Sequence, residues 1–199
     1  MAATYRADTA FAWVNQGGAT VAQGADNSAL LTAPAAAGHN WRIRAIAIGK
    51  TQPYTLITSF WPILLPGIAA AEMPGVAVGW RDSATGKLAL VRFYIDYGTY
   101  YTLMCDYAHW TSPTVLSAVQ AGPMYAQFTQ CSSAIWVKLA DDGTNRTMQF
   151  SPDGVDWTPV LLNDGRTNFL TADQLVFGAS ANNANYAAVM KLRDWYMES

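Results

Sequence analysis

Along almost the whole chain, short segments show a two-residue periodicity in the type of side chain. Residues 88–95 are the clearest case, with Leu88, Leu90, Arg92 and Tyr94 on one side and the intervening apolar residues on the other. Because successive side chains of a β-strand point to opposite faces, this alternation predicts strands. The 3.6-residue periodicity of an amphipathic helix is almost absent. The alternation therefore restricts the fold to the all-β class.

The turn residues between these segments set the number of strands. With 15 Gly and 9 Pro, the sequence divides into roughly a dozen strands spaced about 8–12 residues apart, which is typical of a sandwich or barrel. No repeat of fixed period is present, which argues against a propeller or solenoid. A chain of 199 residues suits one large β domain. We therefore predict one domain, residues 1–199, folded as a two-sheet antiparallel β-sandwich of the jelly-roll type.

Charge is scarce. Charged residues make up 13% of the chain and the net charge is −2, and this share is about half the usual one. Such a chain has no basic face for nucleic acid. The low charge has two explanations that the sequence leaves open. Either other subunits cover part of the surface, or a large core lies beneath a surface of Ser, Thr, Asn and Gln.

The sequence predicts neither membrane insertion nor a signal peptide. Its most apolar stretch, residues 56–71, is interrupted by Pro62 and Pro66, whereas a spanning helix needs about 20 apolar residues. Residues 1–20 lack the basic start and apolar run of a signal peptide.

Neither a disulfide framework nor a metal site is predicted. Cys105 and Cys131 belong to no CxxC motif, and we expect reduced core thiols, with a single bridge between them as the open alternative. His39 and His109 are isolated in the sequence. The segment Asp141–Asn145 has oxygen ligands that suit calcium, but a tight Asp-Gly hairpin turn explains the same residues more simply. We therefore predict no cofactor.

One stretch of the chain resembles a known family. Ile135–Lys138 is followed by the turn at Asp141–Arg146 and then by Phe150–Trp157, in which Ser151, Asp153, Gly154 and Trp157 form the pattern S-x-DG-x-x-W. This order of a Trp-containing strand, an Asp-Gly turn and a second Asp-Gly turn before a Trp resembles the hairpins of concanavalin A-like lectin/glucanase (laminin-G-like) jelly rolls. We expect Trp157 to fill the core beside its turn.

Other stretches resemble tailed-phage structural proteins that carry such a domain. They are residues 11–15 together with 33–41, and residues 79–87. The resemblance implies two curved sheets, often with sugar bound on the concave face, although the sequence does not say which face is concave. It also implies a virion protein of the tail, baseplate or capsid-decoration kind, assembled in the host cytoplasm. Its partners would be other virion subunits, a homo-oligomer such as a trimer, and a host-surface glycan.

The sequence does not predict an enzyme. Glycanases of this fold use a close pair of carboxylates as acid and nucleophile. The only glutamates are Glu72, in an apolar segment, and Glu198, near the end of the chain. Asp96 and Asp106 could face each other across a hairpin, but solvated strand-end carboxylates are the simpler interpretation. A free carbohydrate-binding lectin domain and a glycan hydrolase or lyase remain alternatives to the virion protein.

One hairpin and its exit concentrate aromatic and polar side chains that suit a glycan. Sugar C–H faces stack on aromatic rings, and sugar hydroxyls bond to carboxylates and guanidinium groups. Cross-strand pairing and core filling are the alternative role for the same rings. The predicted ligand-binding residues are Arg92, Tyr94, Asp96, Tyr97, Tyr100, Asp106, Tyr107 and Trp110.

An apolar loop, expected over residues 61–74, is the second candidate surface. Burying one large apolar side chain is worth about 1.5–3 kcal/mol, so the several large apolar side chains of this loop are costly to expose. Either the loop folds over its own sandwich, or it docks into a neighbouring subunit. The predicted oligomer contacts are Phe60, Trp61, Ile63, Leu64, Leu65 and Ile68.

Overall fold

A computed structural model describes residues 10–65, 73–95, 103–128 and 134–198. These residues form fourteen β-strands. In chain order they are β1 (Ala12–Val14), β2 (Thr20–Gln23), β3 (Ala29–Ala33), β4 (Arg42–Ala47), β5 (Tyr54–Ile63), β6 (Gly75–Arg81), β7 (Leu88–Ile95), β8 (Leu103–Ser112), β9 (Val115–Phe128), β10 (Ile135–Asp141), β11 (Asn145–Ser151), β12 (Thr158–Gly165), β13 (Gln174–Ser180) and β14 (Ala188–Glu198). No helix that could cross a membrane occurs within these ranges.

The strands form two antiparallel sheets of seven strands each. The first, which we call the front sheet, has the order β1-β4-β13-β6-β7-β8-β9. The second, the back sheet, has the order β12-β11-β10-β5-β14-β3-β2. The predicted all-β, two-sheet antiparallel sandwich is therefore confirmed.

The alternation seen in the sequence divides the side chains between two environments. In β7, Ala89, Val91 and Phe93 point into the layer between the sheets, while Leu88 and Leu90 lie on the outward face of the front sheet. Both sets are buried. The main core lies between the sheets. Its largest fully buried members include Trp80, Tyr54, Tyr107, Phe60, Phe93, Phe177, Leu31 and Leu56.

The largest error in the strand prediction concerns β8 and β9. The sequence pattern predicts a break at residues 109–113, but β8 continues through His109 and Trp110, which pair with Ala89 and Leu88. The pattern predicts the next strand only from Met124, whereas β9 begins at Val115. The register between β8 and β9 shifts at several bulges. A bulge adds a residue to one strand and so breaks the regular alternation on which the prediction relied.

The front sheet is coiled so strongly that two opposite corners meet over its outward face. Trp41 directly precedes β4 and Pro113 directly follows β8, and three strands lie between β4 and β8. In a flat sheet those two strands would be about 19 Å apart. The backbone N–H of Trp41 nevertheless donates to the carbonyl oxygen of Pro113 at 3.0 Å. The outward face of the front sheet is therefore concave.

The predicted apolar loop is in part a strand. β5 extends to Ile63, three residues beyond the expected end at Phe60. Phe60 itself is fully buried between the sheets, where its ring meets Phe93 edge-to-face with 5.5 Å between the centroids. The expectation that Phe60 is an oligomer contact is therefore wrong, because its position on β5 points it inward.

Phe60→Ala should lower the free energy of unfolding by about 3–5 kcal/mol, because truncating a buried ring leaves a cavity. The matched control is Ile63→Ala on the same strand, since Ile63 is 51% exposed and such surface changes usually stay within about 0.5 kcal/mol. Urea unfolding curves of both variants measure the difference. Equal losses would contradict the burial described for Phe60.

Candidate functional site

Four of the predicted ligand-binding residues come together on the concave face of the front sheet. The register of β7 and β8 sets Arg92 directly opposite Asp106. Arg92 Nε donates to Asp106 Oδ1 at 2.6 Å, and Arg92 Nη2 donates to Asp106 Oδ2. Both side chains are buried. A bidentate pair of this kind fixes the guanidinium plane and satisfies most of both charged groups.

The guanidinium of Arg92 also lies against two aromatic rings. Its Cζ is 5.1 Å from the ring centroid of Tyr94 and 5.3 Å from that of Trp110. Tyr94 lies two residues along β7 from Arg92, and Trp110 lies four along β8 from Asp106. Residues separated by two or four positions in a strand share a face. The four side chains therefore lie on one face because β8 continues through Trp110.

Two further aromatic side chains, from the segment that directly precedes β4, join the cluster on the same face of the sheet. The Trp41 ring meets Trp110 edge-to-face at 5.8 Å, and the His39 ring meets Trp110 in the same way at 5.2 Å. The indole N–H groups of Trp41 and Trp110 are both buried and have no hydrogen-bond acceptor in the described part of the chain. The floor of this face therefore holds two unsatisfied donors. A buried donor without an acceptor costs about 1–3 kcal/mol.

The rim of the cluster is polar and partly exposed. It consists of His39, Asn40 and Tyr94. Asn40 is held by its backbone N–H, which donates to Ser180 Oγ at 3.1 Å, and by the side-chain amide of Asn15, which donates to Asn40 Oδ1 at 2.8 Å. Burial, reinforced by the nearby Arg92 charge, lowers the pKa of His39. The imidazole is therefore neutral near pH 7 and presents one donor and one acceptor.

Sequence reasoning missed His39 and Trp41. His39 was judged isolated because no other histidine, cysteine or acid lies near it in the sequence. Both residues reach the site only because the corners of the coiled sheet meet, and no local pattern in the sequence signals that contact.

Tyr107 does not belong to this cluster. It lies on the opposite face of β8, in the main core, because it is an odd number of residues away from Asp106 and Trp110. Its hydroxyl donates to Asp164 Oδ2 at 2.5 Å and lies 3.0 Å from His109 Nε2. Burial raises the pKa of Tyr107 well above its usual range. Tyr107 was predicted to group with the other ligand-binding candidates, and that grouping is wrong because its side chain points into the main core.

The remaining predicted ligand-binding residues, Asp96, Tyr97 and Tyr100, lie outside the described residues. So does Ile68 of the predicted oligomer contacts, and so does Cys131. Cys105 is a free thiol buried in the main core, and burial raises its pKa.

Tyr107 and His109 belong to a second polar group, located between the sheets. His109 Nε2 lies 3.4 Å from Asp164 Oδ2, and the His109 ring stacks on Phe169 with 4.2 Å between centroids. Burial is the largest influence on the Asp164 carboxyl and acts to raise its pKa. The hydrogen bonds from His109 and Tyr107 outweigh it, so the pKa is lowered overall. The group ties β8 of the front sheet to β12 of the back sheet.

The Asp141–Thr144 segment forms the predicted hairpin turn between β10 and β11. Gly143 adopts a positive φ of 96°, which glycine tolerates without strain. Asp142 Oδ1 accepts the backbone N–H groups of Thr144 and Asn145 at 2.7 and 2.6 Å. Asp141 Oδ2 lies 3.1 Å from Nε of Arg166. These carboxylates bind the backbone of the turn and the side chains of two arginines, Arg146 and Arg166.

Trp157 does not fill the core, contrary to expectation. It is partly exposed and stacks with Lys138, whose Nζ is 4.1 Å from the ring centroid. Lys138 alternates with the inward residues Val137 and Leu139 of β10. Trp157 therefore lies on the outward face of the back sheet.

The described oligomer-contact candidates other than Phe60 occupy the end of β5 and the residues after it. Ile63 and Leu65 are 51% and 53% exposed. Trp61 is partly exposed, and Leu64 packs against the main core. This segment is thus partly folded over its own sandwich and partly open.

No protein-family model matches the sequence, and no curated protein is detectably similar to it. The fold is nevertheless similar to several solved structures. A xylan β-1,4-xylosidase from Bacillus halodurans C-125 has 11% identity and a TM-score of 0.60, covering 85% of this chain and 33% of that one. Peanut lectin, solved with a nine-residue peptide, has 11% identity and a TM-score of 0.54, covering 100% and 97%. The CBM2 module of the evolved Dit of Lactobacillus casei BL23 phage J-1 has 11% identity and a TM-score of 0.53, covering 96% and 79%.

These similarities confirm the predicted concanavalin A-like jelly roll. The chain spans about a third of the xylosidase, and nearly all of the lectin. At such low identity a shared fold does not carry a shared function.

Arg92→Met should destabilise the protein by about 3–5 kcal/mol, because it leaves the Asp106 carboxylate buried without its partner. The double variant Arg92→Met/Asp106→Leu removes both charges and should recover most of that loss. Urea unfolding at neutral pH measures both. A single variant that loses less than about 1 kcal/mol would contradict the burial of the pair.

Asp164→Asn should lower stability at neutral pH, and the loss should fade in acid. A carboxyl whose pKa is lowered by folding stabilises the fold above its ordinary value of 3.8, and that contribution disappears as the pH falls through the folded pKa. The control, Asp156→Asn, removes one charge from an exposed loop position. Thermal unfolding between pH 7 and pH 3 tests this, and a loss for Asp164→Asn that grows in acid would contradict it.

Proposed function

We propose that the chain is a non-enzymatic adhesive subunit of a bacteriophage virion, which binds a glycan at the concave face of its front sheet. The observation that carries the proposal is the pair of unsatisfied indole N–H donors of Trp41 and Trp110, which lie beneath a partly exposed polar rim. The lectin-like fold supports the same ligand class.

A glycan suits this cluster for physical reasons. Sugar rings present C–H faces that pack on aromatic side chains such as Tyr94, and their hydroxyls both donate to and accept from His39 and Asn40. A sugar hydroxyl that accepts from a buried indole N–H removes the cost of that unsatisfied donor. Both indole nitrogens lie beneath the surface, so a ligand reaches them only when rim side chains move. We therefore expect the affinity of a single sugar to be modest.

The same geometry favours binding over turnover. A glycoside hydrolase needs two carboxylates that are free to exchange protons and attack the sugar. Asp106, the carboxylate of this face in the described part of the chain, is held at both oxygens by Arg92. Protonating it would break that buried ion pair. The hydrolase or lyase alternative would be favoured only if the purified protein cleaved a polysaccharide.

Two observations support a place in a virion. The fold matches the CBM2 module of a phage Dit over nearly the whole chain, and stretches of the sequence resemble tailed-phage structural proteins. Ile63 and Leu65 offer apolar area for contacts with other subunits.

A free lectin domain is the second candidate, supported by the match to peanut lectin over both full lengths. Mass spectrometry of purified phage particles separates the two, since a virion subunit is present in them and a free lectin is not.

A glycan array with the purified protein should give specific binding that depends on the concave face. Trp41→Phe removes one indole donor and Tyr94→Ala removes the rim ring. Each should weaken binding of the best glycan by about tenfold, the equivalent of about 1.4 kcal/mol. Tyr107→Phe is the matched control, because it also removes one donor but from the opposite face of the front sheet, and it should leave binding unchanged.

Two results would contradict this proposal. One is an array without any specific signal. The other is equal weakening by Tyr107→Phe and Trp41→Phe, since that would place the ligand elsewhere or reflect a general loss of structure. Near-ultraviolet circular dichroism of each variant checks that its core is intact.

A further inference from the structure

We propose that two copies of the chain pair through the outward face of the back sheet, about a two-fold axis that lies in the interface and runs perpendicular to β14. This inference is independent of glycan binding, which concerns the other sheet.

The centre of this face is formed by β5 and β14, the fourth and fifth of the seven strands. Leu192, Trp195 and Met197 of β14 pack toward the main core. The alternating positions, including Lys191, Asp194 and Glu198, therefore point away from it. A bulge between Leu192 and Asp194 adds Arg193 to the same outward side.

The first half of β14 carries positive charge on this face. Lys191 and Arg193 both lie over the ring of Trp61, at 4.8 and 4.7 Å from its centroid. Lys191 is also paired with Asp26, with 2.8 Å between Nζ and Oδ2. Arg193 is exposed and forms no ion pair within the described part of the chain. Its contact with Trp61 orients the side chain and leaves its charge available.

The second half of β14 carries negative charge. Asp194 and Glu198 flank Tyr196 on the outward face, and Ser59 donates a hydrogen bond to Asp194 Oδ2. Partial burial raises the pKa of Tyr196, and the two carboxylates raise it further, which agrees with their proximity. Glu198 is exposed and, like Arg193, forms no ion pair among the residues that the structure describes.

One strand thus presents a cation and an anion that have no ion-pair partner among the described residues, five residues apart on one face. A two-fold axis perpendicular to β14 reverses the strand direction in the second copy. Arg193 of each copy then faces Glu198 of the other, so the contact is isologous and forms two equivalent ion pairs. An axis parallel to β14 would instead set like charges against each other, which is unfavourable.

The remaining side chains of the face suit contact between two sheets. Trp61, Trp157 and Tyr196 are partly exposed, and tryptophan, tyrosine and arginine are enriched at protein interfaces. Face-to-face packing of sheets places them about 10 Å apart, a distance that side chains of this size fill. The positive and negative ends balance, so the face suits a second copy better than a polyanion.

Sedimentation velocity of the full chain over a range of concentrations, at low salt, tests the proposal. The wild type should show a reversible monomer–dimer equilibrium. Arg193→Glu and Glu198→Arg each set like charges together across the interface, and each should weaken dimerisation by at least about tenfold. The double variant Arg193→Glu/Glu198→Arg exchanges the two charges and should restore dimerisation to within about threefold of the wild type.

Lys50→Glu is the matched control, because it reverses an exposed charge in the loop that leads from the front sheet to β5. It should leave the equilibrium unchanged. A wild type that stays monomeric at every concentration overturns the proposal. So does a double variant as weak as either single variant, since complementary charges would then not define the contact. Neither outcome depends on glycan binding.

Discussion

The contact between Trp41 and Trp110 is the constraint on which the rest of the front sheet depends. It joins opposite corners of a seven-stranded sheet, and the hydrogen bond from Trp41 to Pro113 secures the closure. The closure covers a second apolar cluster on the outward face, including Leu88, Leu90 and Val176. A sheet that would otherwise expose one face to water thus buries apolar side chains on both.

The closure also creates the conditions for the Arg92–Asp106 pair. Removing two charges from water is expensive, and the cost is offset only by good geometry and additional contacts. Here the register of β7 and β8 supplies two parallel hydrogen bonds, and the aromatic rings supply a polarisable surface for the guanidinium. Gly122 contributes space. A Cβ at this position would lie 2.9 Å from that of Asp106, and its φ of +100° is one that other residues rarely adopt.

The two sheets differ in what they offer to a partner. The outward face of the front sheet is concave and its Arg92 and Asp106 are paired with each other, so that mainly the rim is open. In the described part of the chain, the outward face of the back sheet has no such closure, and the rings of Trp61 and Trp157 lie beneath the cations of Lys138, Lys191 and Arg193. The front sheet thus offers a partly covered concave face, and the back sheet a more open one.

The sequence by itself determined most of the strand content, the two-sheet class and the shared face of Arg92 and Tyr94, because strand alternation is local and has a period of two residues. It misplaced Phe60, Tyr107 and Trp157, because alternation alone does not tell which face of each strand points into the core. Only the tertiary structure decided which face is concave and brought His39 and Trp41 to the site. Those features follow from sheet coiling, in which twist and bulges accumulated over many strands join residues that are distant in the chain.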